Sequence, residues 1–69
     1  MPIQVNLDRQ MFEKKVSLTA LAGKIDLTLA NLSILKNNKA RAIRFSTLEA
    51  LCRELECQPG DLLEYVDGA

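Results

Sequence analysis

The chain contains no histidine and no tryptophan, and only one tyrosine and two phenylalanines among 69 residues. Without histidine it lacks the usual side chain for proton transfer near neutral pH and the commonest metal ligand. Two cysteines, Cys52 and Cys57, would need carboxylates or a second chain to complete a zinc site. Both are expected to be reduced small core residues, with no metal and no cofactor. No Gly-rich phosphate loop and no nucleophile motif is present, so a catalytic role has no residues to carry it. Nor is there an apolar run of the roughly 18 residues that a membrane span requires, or a basic-then-apolar leader. A cytoplasmic, non-membrane protein is the expectation.

Net charge is also missing: nine basic side chains balance nine acidic ones. The distribution is uneven, however, with +1 over residues 1–35, +4 over residues 36–44 and −5 over residues 45–69. A chain of this length makes one domain close to the lower limit for a self-sufficient core. Its hydrophobic share of 48% comes mainly from Leu, Ile, Val and Ala, a composition suited to helices.

Along the chain, residues 1–5 carry a short alternation, Ile3, Gln4, Val5, that reads as a strand or an extended arm. Asn6 is placed to cap a first helix over roughly 7–15, with Leu7, Met11 and Phe12 as its apolar stripe. Ser17 caps a second helix whose Leu18, Leu21, Ala22 and Ile25 share one face, despite the cost of Gly23 in its middle. Asp26 and Leu27 form a turn in which Asp26 tolerates a left-handed backbone. Thr28 caps a third helix from Leu29 to about Asn37. At about 100° per residue, Leu32 and Leu35 lie on one side of it, with Ala30, Ser33, Ile34 and Asn37 opposite. One side must be core; the other is spare.

Asn37 and Asn38 mark the exit of that helix, and a connection of about eight residues carries Lys39, Arg41 and Arg44. Ser46-Thr47-Leu48-Glu49 fits a capping box that opens a fourth helix, with Leu48, Leu51, Cys52 and Leu55 as its stripe. Pro59 opens a fifth, single-turn helix. Residues 63–66 leave it as an extended segment able to pair with residues 3–5, within the chain or across a dimer, and residues 67–69 form a tail.

A short helix, a tight turn and a second helix with an uncommitted face describe a helix-turn-helix spanning about residues 18–37. The segment SLTALAGKIDLTLANLSILKNNKA resembles the core of lambda-repressor-like, Cro/repressor-type helix-turn-helix regulators. The following RFSTLEALCRELECQPGDLLEYV is similar to the last two helices of small stand-alone members. This resemblance implies an all-α, five-helix DNA-binding domain over residues 1–69, with a short β pairing of the terminal segments as an addition. It implies that Ala22 is the small residue where the helices touch, and that Thr28, Leu29, Ala30, Ser33, Ile34 and Asn37 face the bases. One departure stands out: Asp26 occupies a turn where the family usually has glycine.

The basic residues Lys36, Lys39, Arg41 and Arg44 are well placed for phosphates flanking the groove, and Ser17 and Asn38 complete the expected phosphate set. Because the base-facing side is mostly apolar, contacts to thymine methyls and an A·T-leaning site are expected. The implied partners are double-stranded DNA and a second copy of the chain, joined through the termini or helix five, with no effector evident. The same apolar side leaves an alternative open, a protein-interaction or antitoxin-like module.

Overall fold

The computed structural model describes residues 3–67 of the chain. Met1, Pro2, and the last two residues of the expected tail, Gly68 and Ala69, lie outside them. Five helices follow one another: α1 (Leu7–Lys14), α2 (Leu18–Lys24), α3 (Leu29–Lys36), α4 (Phe45–Leu55) and α5 (Pro59–Leu62). A strand stands at either end, β1 (Ile3–Val5) and β2 (Leu63–Tyr65). The expected all-helical domain with a terminal β pairing is what forms.

The core is a single cluster of leucines. Leu7 and Met11 of α1, Leu21 of α2, Leu32 and Leu35 of α3, Leu48, Leu51 and Leu55 of α4, and Leu62 of α5 are all buried, with Ile25 between α2 and α3. Each short helix contributes one to three such residues. None is long enough to be stable alone, since isolated helices below about 12 residues are marginal in water. The helices therefore hold one another in place.

The two strands pair antiparallel within the chain, Ile3 opposite Tyr65, Gln4 opposite Glu64 and Val5 opposite Leu63. Asn6 ties this sheet to the helices. Its N–H donates to the carbonyl of Leu62 at 2.7 Å, while its side chain accepts from Gln4 Nε2 and donates to Glu64 Oε1, both at 3.0 Å. Asn6 stands at the cap position of α1, as expected, but makes no capping bond there. Burial spends its side chain across the sheet instead.

Three other expectations are corrected. Phe12 is 84% exposed, and Gln10 takes the buried place beside Leu7 and Met11. The reason is angular, because Phe12 stands about 140° from Leu7 around the helix. The bend after α2 does not use a left-handed Asp26; among the described residues other than glycine, positive φ occurs only at Lys15, Asn38 and Glu56. Ile25 leaves the helix in an extended conformation, and the N–H of Leu27 closes back on the carbonyl of Ile25 at 2.9 Å, a three-residue turn around Asp26. Lastly, α4 starts at Phe45 with Arg44 as its cap, so Ser46 is inside the helix and forms no capping box. The earlier start adds the bond from Leu48 N–H to the Arg44 carbonyl at 2.9 Å, and continuing an established helix is favourable.

The other caps form as read. Ser17 Oγ accepts from Ala20 N–H at 3.1 Å, Thr28 Oγ1 accepts from Asn31 N–H at 3.2 Å, and Pro59 opens α5. Asp61 there accepts from the N–H of Gln58 at 2.9 Å.

Two stabilising substitutions follow. A Cβ at Gly23 would meet no atom within 4 Å. Gly23→Ala should therefore raise stability by about 0.5–1 kcal/mol, seen as a higher urea midpoint with unchanged slope. Lys15 closes α1 at φ 56°. Lys15→Gly should raise the same midpoint by a comparable amount, roughly 1 kcal/mol, because glycine carries no Cβ penalty there.

Candidate nucleic-acid interface

The local geometry begins with α3. Leu32 and Leu35 are buried, and Thr28, Leu29, Ala30, Ile34 and Asn37 are exposed, with Ser33 half-buried. The six residues expected to meet bases thus share the open side of one helix. Leu29 and Ile34 are 47% and 42% exposed, a large apolar surface for so small a helix. Asn37 Nδ2 donates to Ser33 Oγ at 3.3 Å, which orients the carboxamide and leaves its oxygen free to accept.

Beside α3 lies an open cleft of about 1160 Å³, bounded by the α2–α3 turn, the loop from Lys39 to Arg44, and one face of α4. Lys39, Arg41 and Arg44 line it, as do Thr28 and Ile34 from the set expected to face bases. Two basic residues join them that the charge pattern did not single out, Lys24 at the end of α2 and Arg53 on α4. Asp26 is the single acidic side chain among those lining the cleft, which is therefore predominantly basic, although Arg53 also lies 3.5 Å from Glu54 Oε2.

Arg53 was hidden by the acidic character of residues 45–69 taken as a block. Its helical position was a readable signal, for Ser46, Ala50 and Arg53 are spaced i, i+4, i+7 and all three line the cleft. Asn31, also on the cleft side of α3, is a second exposed carboxamide outside the set expected to face bases.

The remaining members of the expected phosphate set lie away from the cleft. Lys36 is on the opposite edge of α3, where its Nζ approaches Asp8 Oδ1 of α1 at 3.7 Å. An exposed pair of this kind contributes about 0–1 kcal/mol, so it is a weak restraint on the lysine. Ser17 uses an oxygen lone pair to cap α2 and keeps its hydroxyl proton to donate.

Asn38 is the most constrained of the set. It sits at φ 61°, and its Oδ1 accepts from the N–H of Val5 at 2.6 Å. The end of the outward-facing helix is thereby bound to the terminal sheet. With the oxygen committed, only the amide protons remain for an external acceptor.

The similarities to known proteins are concordant. Over residues 6–68 the chain matches the family model of the Cro/C1-type HTH DNA-binding domain. It is 58% identical over 65 residues to the uncharacterized HTH-type transcriptional regulator YozG of Bacillus subtilis (strain 168), a match covering 94% of this chain and 77% of that protein. No helix among the described residues is long and apolar enough to cross a membrane.

The Asn38 tether has a direct signature. Asn38→Gly keeps the left-handed turn but removes the acceptor, so amide exchange at Val5 should accelerate at least tenfold while global stability changes by less than about 1 kcal/mol. Unchanged exchange at Val5 would show that the strand is held without Asn38.

Proposed function

The chain belongs to the Cro/C1-type helix-turn-helix DNA-binding family, and on that premise we propose that it is a sequence-specific DNA-binding transcriptional regulator. In this reading α3 enters the major groove, and the basic loop over residues 36–44 holds phosphates at its edge. The observation that carries it is the pairing of an outward α3 face with a basic cleft alongside. The function is binding without catalysis, performed by residues 1–69 as one domain in the cytoplasm. The family does not favour the protein-interaction alternative.

The roles divide by chemistry. Leu29, Ala30 and Ile34 meet thymine methyls, while Thr28, Ser33 and Asn37 offer polar atoms to base edges. Lys39, Arg41 and Arg44 neutralise phosphates, with Lys24 and Arg53 extending the same positive wall. Ser17, Lys36 and Asn38 donate single hydrogen bonds to the backbone of the duplex.

One eight-residue helix reads too few base pairs for useful specificity, so the protein acts as a homodimer on two half-sites. The terminal sheet supports this assignment. Ile3 and Tyr65 face each other across its strands and are 51% and 66% exposed. An apolar cross-strand pair at the end of a sheet suits contact with a second copy; α5 is the neighbouring alternative surface. No built-in effector response is proposed.

Two measurements test this reading. Fluorescence anisotropy with random-sequence duplex at several salt concentrations should show a slope of log affinity against log salt that falls by about two units in the Lys39→Ala/Arg41→Ala double variant. An unchanged slope would remove both residues from the phosphate set. Selection from a random duplex pool should return A·T-leaning sites with thymines at the major-groove contacts, and Asn37→Ala should change the preferred sequence without changing the salt slope. Recovery of G·C-rich sites lacking those thymines would overturn the apolar readout.

A further inference from the structure

Three helices end in the same way, with a non-glycine residue in the left-handed region and a backbone bond spanning five positions. The N–H of Val16 closes on the carbonyl of Met11 at 3.0 Å, that of Lys39 on Ile34 at 3.0 Å, and that of Cys57 on Cys52 at 3.1 Å. This closure commonly brings the side chains of its first and last residues into contact. In α1 those residues are Met11 and Val16, both part of the core or its rim. At the end of α4 the equivalent places hold both cysteines of the chain.

The two thiols are free and half-buried. Burial pushes the Cys57 thiol up, and the neighbouring Cys52 and Asp61 reinforce this, as does a hydrogen bond to Cys52; Lys14 of α1 opposes them. A thiol held protonated is a poor first nucleophile toward a peroxide, so Cys57 follows as the resolving sulfur, giving up its proton to the hydroxide it displaces. Cys52, half-buried like its partner, lines a surface hollow with Phe45, Leu48, Glu49 and Pro59 that is open to small solutes.

We propose that Cys52 and Cys57 are a reversible redox-modification site, at which a hydroperoxide converts the pair to an intrachain disulfide across the junction of α4 and α5. The Cys52 thiolate attacks the terminal peroxide oxygen, the O–O bond breaks, and hydroxide or alkoxide leaves, taking up the proton released by Cys52 to become water or an alcohol. Cys52 is then a sulfenic acid, oxidised by two electrons. The Cys57 sulfur attacks the Cys52 sulfur, the S–S bond forms, the S–O bond breaks, and the departing hydroxide takes the Cys57 proton as water. Overall, two thiols and one hydroperoxide give one disulfide, one water, and a second water or an alcohol. A dithiol reductant reverses the change. The six-residue segment from Cys52 to Cys57 is already closed by its backbone bond, which holds the two side chains together at the end of α4. The proposal is independent of how the chain reads DNA.

The test uses the whole folded chain and hydrogen peroxide in small molar excess. Intact mass should fall by two hydrogen atoms, both thiols should disappear from a thiol titration, and dithiothreitol should restore them. Cleavage at Arg53, between the cysteines, should leave two peptides joined until reduction. Cys57→Ser should halt at a Cys52 sulfenic acid that dimedone captures, and Cys52→Ser should react at least tenfold more slowly. Disulfides found only between chains would overturn the proposal. So would overoxidation of Cys52 with no internal link, or a link that forms as fast in urea as in the folded protein.

Discussion

The inward burial of Leu32 and Leu35 is the constraint on which the rest depends. An eight-residue helix has little stability of its own, so α3 exists because these two side chains close the core against α1 and α2. Leu32 is fully buried, and replacing such a leucine with a smaller residue typically costs about 2–5 kcal/mol, a large share of a small domain's stability. Once the two leucines point inward, the angular positions of Ala30, Ser33, Ile34 and Asn37 follow. The outer face is a geometrical remainder of the core.

A second set of interactions decides where that face stands relative to the chain ends. Asn6 bonds across the terminal sheet to Gln4 and Glu64 and through its backbone to Leu62, while Asn38 reaches from the end of α3 to the backbone of Val5. The terminal strands and α3 therefore belong to one hydrogen-bonded assembly.

The sequence was informative about elements wherever one residue type has one strong physical role. Ser17 and Thr28 cap helices because their hydroxyls accept from backbone donors three residues on. Leu32 and Leu35 of α3 and the leucines of α4 are buried as their spacing requires, as is Leu21 of α2, with Leu18 only partly covered. It was less informative where local preference competes with packing. Phe12 was assigned inward by hydrophobicity and stands outside by angle; Ser46 carried a capping signal that helix propagation overrode. The left-handed positions at Lys15 and Glu56 have no sequence mark, since neither residue type favours them; closure of the helix ends imposes them.

What the sequence determined by itself was the helix-turn-helix and the division of α3 into a core side and a spare side, because helical periodicity is a property of the local chain. It also placed the positive charge between α3 and α4. The tertiary structure alone decided that Lys24, Asn31 and Arg53 join Lys39, Arg41 and Arg44 around one cleft, that Lys36 turns instead toward Asp8, and that Asn38 spends its oxygen on Val5. The physical reason is distance along the chain. Lys24 and Arg53 are brought to one wall by the packing of separate helices, and Asn38 and Val5, 33 positions apart, meet because the terminal strands close over the core.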